Sequence, residues 1–347
     1  MLFKKKNTLF LLFKDKSIQY MIVDAQKKDI LEHDFLLMDV PVLIEGKLTN
    51  ESLVQKRLEL FVREKKLRNA KVHLILPDHF TIIRKEEVPI QLEESEIKDY
   101  LYLHLNSKIR LPIDKPKIDF QVINQLSDSK ELLLVAYPDE LVQSFQKLVE
   151  SLQLYPEVAD FSYLSVYRVF KQFNASDISE EDHLLLIQWH PFDSSLTVFH
   201  RDTPQFNRQT NFQRVVQNWE QKADGSWVWI GTPEELDIVI EEQINSIERY
   251  LDFYKYSIMN GEKMITSILL TGDFPDFEYL FEKIKNRIDI PLSQLKLPSE
   301  FSKEFAPLLG LTIKKPAVKY KKKRKPIREI KFLKKPFKKT VEEVDAG

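Results

Sequence analysis

Apolar positions at the start of the chain fall in short runs spaced for strands. Residues 8–14 and 17–24 flank a polar turn at Asp15-Lys16, and Ile18, Tyr20 and Ile22 alternate with other residues as one face of a half-buried strand does. A third strand is expected over residues 29–38. The period then changes. Val54, Leu58, Phe61 and Val62 fall at helical steps, which predicts a helix over residues 51–66 with Asn50 as its cap. A short strand over 72–76 ends at Pro77. The order is strand, strand, strand, helix, strand.

Residues 79–160 have a different rhythm. A strand near 80–88 precedes a helix with Ile97, Leu101 and Leu105 four apart. Strands over 117–124 and 131–136, a helix over 139–152 and a strand over 155–160 come next. This β-α-β-β-α-β order predicts a ferredoxin-like unit. After a helix over 161–172 and a polar linker over 174–182, the opening pattern recurs, with strands over 184–190 and 196–200 and an extended stretch over 205–212. Thr232-Pro233-Glu234-Glu235 is a capping box with proline at the first helical position. Behind it, Leu236, Ile240, Ile244, Ile247, Leu251, Tyr254 and Ile258 form a long apolar stripe. A strand over 265–271 and a helix over 277–287 complete the second copy. The duplication predicts two α/β lobes. The first covers residues 1–78 and 161–175, the insertion 79–160, the second lobe 176–313, and a disordered basic tail 314–347.

The composition, 43% hydrophobic and 30% charged over 347 residues, is globular. Cysteine is absent, which excludes disulfides, thiolate zinc sites and cysteine nucleophiles and fits a reducing compartment. The 7 glycines form no cluster from which a dinucleotide fingerprint or Walker loop could be built. No apolar run approaches the roughly 18 residues of a membrane span, and the run at 9–13 is too short for a signal peptide. A cytoplasmic protein is expected. The net charge of −1 conceals a division: residues 1–313 hold 38 basic and 49 acidic residues, whereas residues 314–347 hold 14 and 4. The histidines show no metal-ligand spacing and read as structural or surface groups. Glu86-Glu87, Glu93-Glu94 and Glu241-Glu242 read as solvated charge rather than acid–base pairs. Trp227 and Trp229 share one face of a short strand, suited to a small core or to a partner.

The duplicated unit with its insertion resembles the actin/FtsA-like fold, that is, a duplicated RNase H-like ATPase fold with a ferredoxin-like βαββαβ insertion. Three stretches are more specific: "LPDHFTIIRKEEVPIQLEESEIKDYLYLHLNSKIRLPIDKPKIDFQVI", "ELLLVAYPDELVQSFQKLVESLQLYPEVADF" and "SILLTGDFPDFEYLFEKIKNRIDIPL". They are similar to the type IV pilus assembly protein PilM family, and the similarity extends over residues 8–313. It implies an actin-like cytoplasmic protein that binds ATP and docks the N-terminal peptide of PilN, a single-span inner-membrane partner. It also implies links to pilus motor or platform proteins.

Carried over residue by residue, the family's nucleotide loops are altered. Its first phosphate loop, D-I-G-S-S-S-I-K, falls on Leu12 to Gln19, so the metal-side Asp becomes Leu12 and the glycine becomes Lys14. Its second, D-I-G-A with a later T-T, falls on Gln188-Trp189-His190-Pro191 and Ser194-Ser195. The adenosine loop falls on Thr271-Gly272-Asp273-Phe274-Pro275. Lys14, Asp15, Ser17, Ser194, Ser195 and Gly272 remain as candidate remnants of a cofactor site. Metal and phosphates need a carboxylate and bare backbone amides, so a pseudo-ATPase scaffold is expected, with ATP the one candidate cofactor. In the tail, Lys321, Lys322, Lys323, Arg324, Lys325, Arg328, Lys331, Phe332, Lys334, Lys335, Phe337, Lys338 and Lys339 are candidates for an anionic membrane surface. Two alternatives stay open: an active nucleotide-switched ATPase, and a nucleic-acid-binding protein of DNA uptake acting through the tail.

Overall fold

The computed structural model describes residues 7–174, 179, 181–212, 217–222 and 225–314. The tail candidates from Lys321 to Lys339 lie outside the described residues. The chain opens as an antiparallel meander of β1 (Asn7–Phe13), β2 (Ser17–Asp24) and β3 (Ile30–Leu37). β2 is buried at all eight positions rather than on one face, because layers cover both sides of the sheet. A small hairpin, β4 (Leu43–Ile44) and β5 (Lys47–Leu48), leads into α1 (Glu51–Glu64), which buries Val54, Leu58, Phe61 and Val62. Asn50 precedes α1 but makes no side-chain cap; its amide donates instead to the Pro41 carbonyl at 2.8 Å. β6 (Lys71–Leu76) enters parallel to β1.

The chain then leaves the lobe as β7 (Ile82–Pro89), α2 (Glu94–Leu103), β8 (Pro116–Gln125) and β9 (Ser129–Pro138), a sheet of order β7-β9-β8. α3 (Asp139–Ser151) and β10 (Tyr155–Phe161) do not complete this unit. β10 pairs with β6, so the insertion ends at 138, not at the expected 160. The side-chain alternation of β9 gives the reason. Leu132, Leu134 and Ala136 join the insertion's own core with Ile97 and Leu101 of α2, whereas Leu133, Val135 and Tyr137 face the first-lobe core. α3 buries Leu141, Val142, Phe145, Leu148 and Val149 in that same first-lobe core and carries the chain back to β6.

α4 (Ser162–Phe173) leads to the second lobe. There β11 (His183–Trp189), β12 (Asp193–His200) and β13 (Thr203–Asn211) repeat the meander. A hairpin, β14 (Trp219–Gln221) and β15 (Trp227–Trp229), precedes α5 (Pro233–Phe253), whose Thr232–Glu235 capping box forms as expected. β16 (Ser267–Thr271), α6 (Phe277–Arg287) and β17 (Leu292–Gln294) complete the lobe's sheet and one of its layers. The two five-stranded sheets, β3-β2-β1-β6-β10 and β13-β12-β11-β16-β17, share one topology, which bears out the two-lobed duplication.

The last helix among the described residues, α7 (Ala306–Ile313), belongs to the first lobe, contrary to the expected boundary at 313. Ala306, Leu308, Leu309 and Leu311 are buried in the first-lobe core, and a Cβ on Gly310 would lie 1.9 Å from the Ser165 oxygen of α4. The lobes also share apolar contact. Leu184 and Leu186 of β11 face the first-lobe core, Leu185 and Ile187 face the second, and Tyr167 of α4 stacks on Phe199 of β12 at 3.8 Å.

Candidate functional site

The duplicated β1–β2 and β11–β12 turns meet across the cleft between the lobes. With the loop after β16 they surround a cavity of about 390 Å³. Each turn is tight by necessity. Lys14 N donates to Ser17 O at 2.9 Å, and His190 N donates to Asp193 O at 2.8 Å. The side chains of Lys14 and His190 therefore stand at corresponding places on the two lobes.

Both converge on Asp273. Lys14 Nζ lies 3.4 Å from Asp273 Oδ2, and His190 Nδ1 bonds to Oδ1 of the same carboxylate. Lys14 Nζ is also 3.3 Å from His190 Nδ1. One ring nitrogen cannot donate to the carboxylate and accept from the lysine together, so the carboxylate places the proton on Nδ1 and Lys14 reaches the other oxygen. Burial disfavours charge on Asp273, but Lys14 and His190 hold its carboxyl well below the usual range. Burial likewise opposes the Lys14 ammonium, and Asp273, Asp193 and Asp15 outweigh it, raising its pKa. On Asp15 the same Lys14 and His190 are outweighed. Burial first, then the charge of Asp193, pushes it up to about 6.

The remnant residues separate into two groups. Lys14, Asp15, Ser17 and Gly272 line the cavity. Ser194 and Ser195 do not; they are buried in β12, where Ser195 Oγ donates to Asn207 Oδ1 at 3.3 Å. Gly272 serves the backbone. Its φ is 122°, and a Cβ there would lie 2.0 Å from the Trp189 carbonyl oxygen. The two positions of the lost carboxylates have other uses. Leu12 is buried in the first-lobe core, and Gln188 Nε2 donates to Ser162 Oγ at 2.9 Å across the lobes. Ser162 in turn donates to Asp78 from its hydroxyl and from its amide (3.0 Å), so Asp78 caps α4.

His190 and Asp273 are the residues that sequence reasoning missed as a site. The available signal was that glycine positions of two duplicated turns had become Lys14 and His190, both cationic or proton-binding. Of the other histidines, His183 is buried, stacked on His200 at 4.1 Å and bonded to the Tyr254 hydroxyl at 2.6 Å. Trp219 and Trp229 meet edge-on at 5.2 Å in a small core, while Trp227 lines the cavity.

Asp15 supplies a pH test. Its folded pKa is raised, so the folded state binds more protons than the unfolded between about pH 4 and pH 6, and stability falls as pH rises through that window. Asp15→Asn is expected to raise the melting temperature by about 2 °C at pH 7.5 and by nothing near pH 4, read by differential scanning calorimetry.

Two lobes of one topology around a shared cleft define an actin-like protein. Sequence comparison then fixes the family: the model for type IV pilus assembly protein PilM matches residues 15–304, and the chain belongs to that family. Among solved structures, a PilM-PilN type IV pilus biogenesis complex matches with a TM-score of 0.70 at 16% identity, covering 89% of this chain and 98% of that one. A Bacteroides thetaiotaomicron protein of actin-like ATPase fold and unknown function matches at 0.46 and 11% identity, covering 90% and 97%. The cytoplasmic domain of EpsL, an inner membrane component of the type II secretion system of Vibrio cholerae, matches at 0.45 and 9%, covering 89% and 94%. No curated protein matches by sequence. Among the described residues no helix is long and apolar enough to cross a membrane.

Proposed function

We propose that this PilM-family chain is a cytoplasmic scaffold that holds the N-terminal peptide of a PilN-like, single-span membrane protein and works without hydrolysing nucleotide. It would serve a type IV pilus or a competence pseudopilus at the inner face of the membrane, with the basic tail drawn to anionic lipid. The Lys14–Asp273–His190 cluster carries the second half of this reading. The residues in the cleft do not fit a metal-bound triphosphate. A lysine chain and an imidazole replace the two loop glycines, Leu12 and Gln188 replace the two metal-side carboxylates, and Asp273 is already held by Lys14 and His190. Gly272 is retained for contact with Trp189. Calorimetric titration with ATP to millimolar concentration is expected to show no magnesium-dependent heat. Micromolar magnesium-dependent binding would restore the nucleotide-switch reading.

The peptide groove belongs between the first lobe and the insertion, and the fold narrows its walls. β6 is a central strand flanked by β1 and β10. The 80–88 region faces the second lobe, where β7 packs on β13 and His79 Nε2 meets Asn211 Oδ1 at 2.7 Å. Among the described residues, β8 is an outer strand of the insertion sheet and β10 an outer strand of the first-lobe sheet. An unpaired strand edge can bind an extended peptide through main-chain hydrogen bonds. Co-purification with a bitopic partner, abolished by deleting the partner's cytoplasmic N-terminus and indifferent to ATP, tests the scaffold reading.

A further inference from the structure

The cleft cavity keeps polar groups that the Lys14–Asp273–His190 cluster does not use. β2 and β3 supply one wall. Their register sets Ser17 opposite Leu37 and Gln19 opposite Phe35, so these four side chains share one face of the first-lobe sheet, and all four residues line the cavity. The second lobe closes on that face. A Cβ on Gly225 would lie 3.2 Å from Leu37 Cδ2, and Trp227, two residues on, meets Phe192 edge-on with ring centroids 4.7 Å apart. Trp227 and Phe192 line the cavity as well. On the sheet wall, Gln19 is only 2% exposed, and its Oε1 has no hydrogen-bond partner. A buried amide left unpaired is costly, and native proteins keep few of them. A ligand in the cavity could satisfy it.

The charges around the cavity divide into committed and uncommitted groups. Lys14 and His190 hold Asp273. Lys303 Nζ donates to Gln294 Oε1 at 2.8 Å and lies 3.3 Å from the centroid of the Phe277 ring. Glu304 accepts from the Ser302 hydroxyl at 2.8 Å. Among the described residues, the side chains of Asp15, Asp193 and Lys16 make no hydrogen bond or ion pair, which leaves two carboxylates against one ammonium. Burial and then Asp193 push Asp15 up to about 6, as negative charge without local balance does. The unused groups are therefore acidic acceptors beside aromatic rings. They repel a phosphate and suit a planar organic cation. A guanidinium offers fixed N–H donors to carboxylate and amide oxygens, is weakly hydrated, and stacks on aromatic faces.

We propose that the cleft cavity is a binding site for a small organic monocation of the guanidinium class, held by the carboxylates of Asp15 and Asp193, the amide of Gln19 and the ring of Trp227. One added positive charge balances the two carboxylates against Lys16. Co-purification with a membrane partner, whatever its outcome, leaves this site untouched.

Butylguanidinium is the probe and butylurea its neutral isostere. Each is titrated into the full chain and followed by the tryptophan indole N–H signals in NMR. Butylguanidinium is expected to shift the Trp227 signal, identified by its loss in Trp227→Phe, with a dissociation constant of about 1 mM or tighter, the range open to a ligand of so few atoms. Butylurea should bind about tenfold more weakly or worse, and Asp15→Asn should weaken the cation by about tenfold. Gln19→Leu should weaken it about fivefold without lowering the melting temperature, because it removes an unpaired amide and keeps the apolar volume. Wild-type affinity should also fall about tenfold from about pH 7.5 to about pH 5, as Asp15 takes up a proton among Lys14, Lys16, His190, Asp193, Asp273 and Glu304, and Asp15→Asn should lose most of that dependence. Equal binding of the two probes overturns the proposal, as do variants that bind like wild type. So does a shift confined to Trp189, Trp219 or Trp229, or no binding at about 20 mM. Displacement of the cation by magnesium, alone or with ATP, would return the cavity to a nucleotide and overturn it too. Magnesium-dependent ATP binding that leaves the cation in place would sink the nucleotide-free reading alone.

Discussion

Gly310→Ala is expected to destabilise the protein by about 4 kcal/mol or more, read as a fall in the urea midpoint. Alanine is the better helix former by about 1 kcal/mol, so propensity alone predicts the opposite sign. The close approach decides it. The added Cβ would sit 1.9 Å from the Ser165 oxygen and 2.4 Å from its carbonyl carbon, and both are backbone atoms of α4 that no side-chain rotation can move. α7 would have to back away, exposing Leu308, Leu309 and Leu311, and the bond from Arg168 Nε to the Gly310 carbonyl at 3.0 Å would open. Gly261→Ala is the control. Nothing lies within 4 Å of that Cβ, and only its φ of +83° is strained, which costs about 1 kcal/mol. A Gly310→Ala loss no greater than the control would mean that α7 does not cross α4 at this distance.

The same variant bears on a buried ion pair, because α7 delivers Lys314 to Asp160 of β10. If the helix undocks, Asp160 keeps Arg168 but loses Lys314. The order of structure is therefore glycine, close helix crossing, and then the buried ion pair of Lys314 with Asp160.

Much of this fold was legible. Helix α6 runs over Phe277–Arg287 as its pattern predicts, and the capping box at Thr232 forms both of its bonds. Duplication was readable because each lobe repeats the same sequence of periods. What failed had physical causes. β9 is apolar at every position from Leu132 to Ala136, so its alternation could not say that its two faces serve two cores, and α3 and β10 were assigned to the insertion. α7 is eight residues of nearly all-apolar sequence with no polar face to orient it, so neighbourhood in sequence misplaced it in the second lobe. Asn50 is a suitable cap by type, but its φ of 49° turns the amide toward Pro41. The site was half legible. Loss of the loop glycines is visible in the sequence, but the pairing of Lys14 with residues 176 and more positions away requires both turns to be placed.

That pairing gives the second large effect. Lys14→Met is expected to lower stability by about 2–3 kcal/mol at pH 7, and Asp273→Asn by a similar amount, in calorimetric or urea unfolding. The size follows from burial. A fully buried pair broken on one side costs about 3–5 kcal/mol, because a charge is left without a partner; here the side chains keep 21% and 16% exposure, so water recovers part of the loss. The double variant should cost less than the sum, with a coupling of about 1–2 kcal/mol, since removing both charges leaves neither stranded. The pH dependence has a definite sign. Asp273 has a depressed folded pKa, so its contribution is complete above the unfolded value of about 4 and is lost in acid as pH falls through the folded value. The gap between wild type and Lys14→Met should therefore narrow as the solution is acidified. Lys14→Gly, which restores the loop glycine, should lose the same stability without gaining magnesium-dependent ATP binding, because Leu12 and Gln188 still offer no carboxylate. A coupling near zero would mean that the lobes are joined without the cluster, by contacts such as those of β11 with α4, Gln188 with Ser162 and β7 with β13. A coupling of the expected size makes the cluster a fixed cross-lobe tie in the position where an actin-like ATPase relies on its ligand.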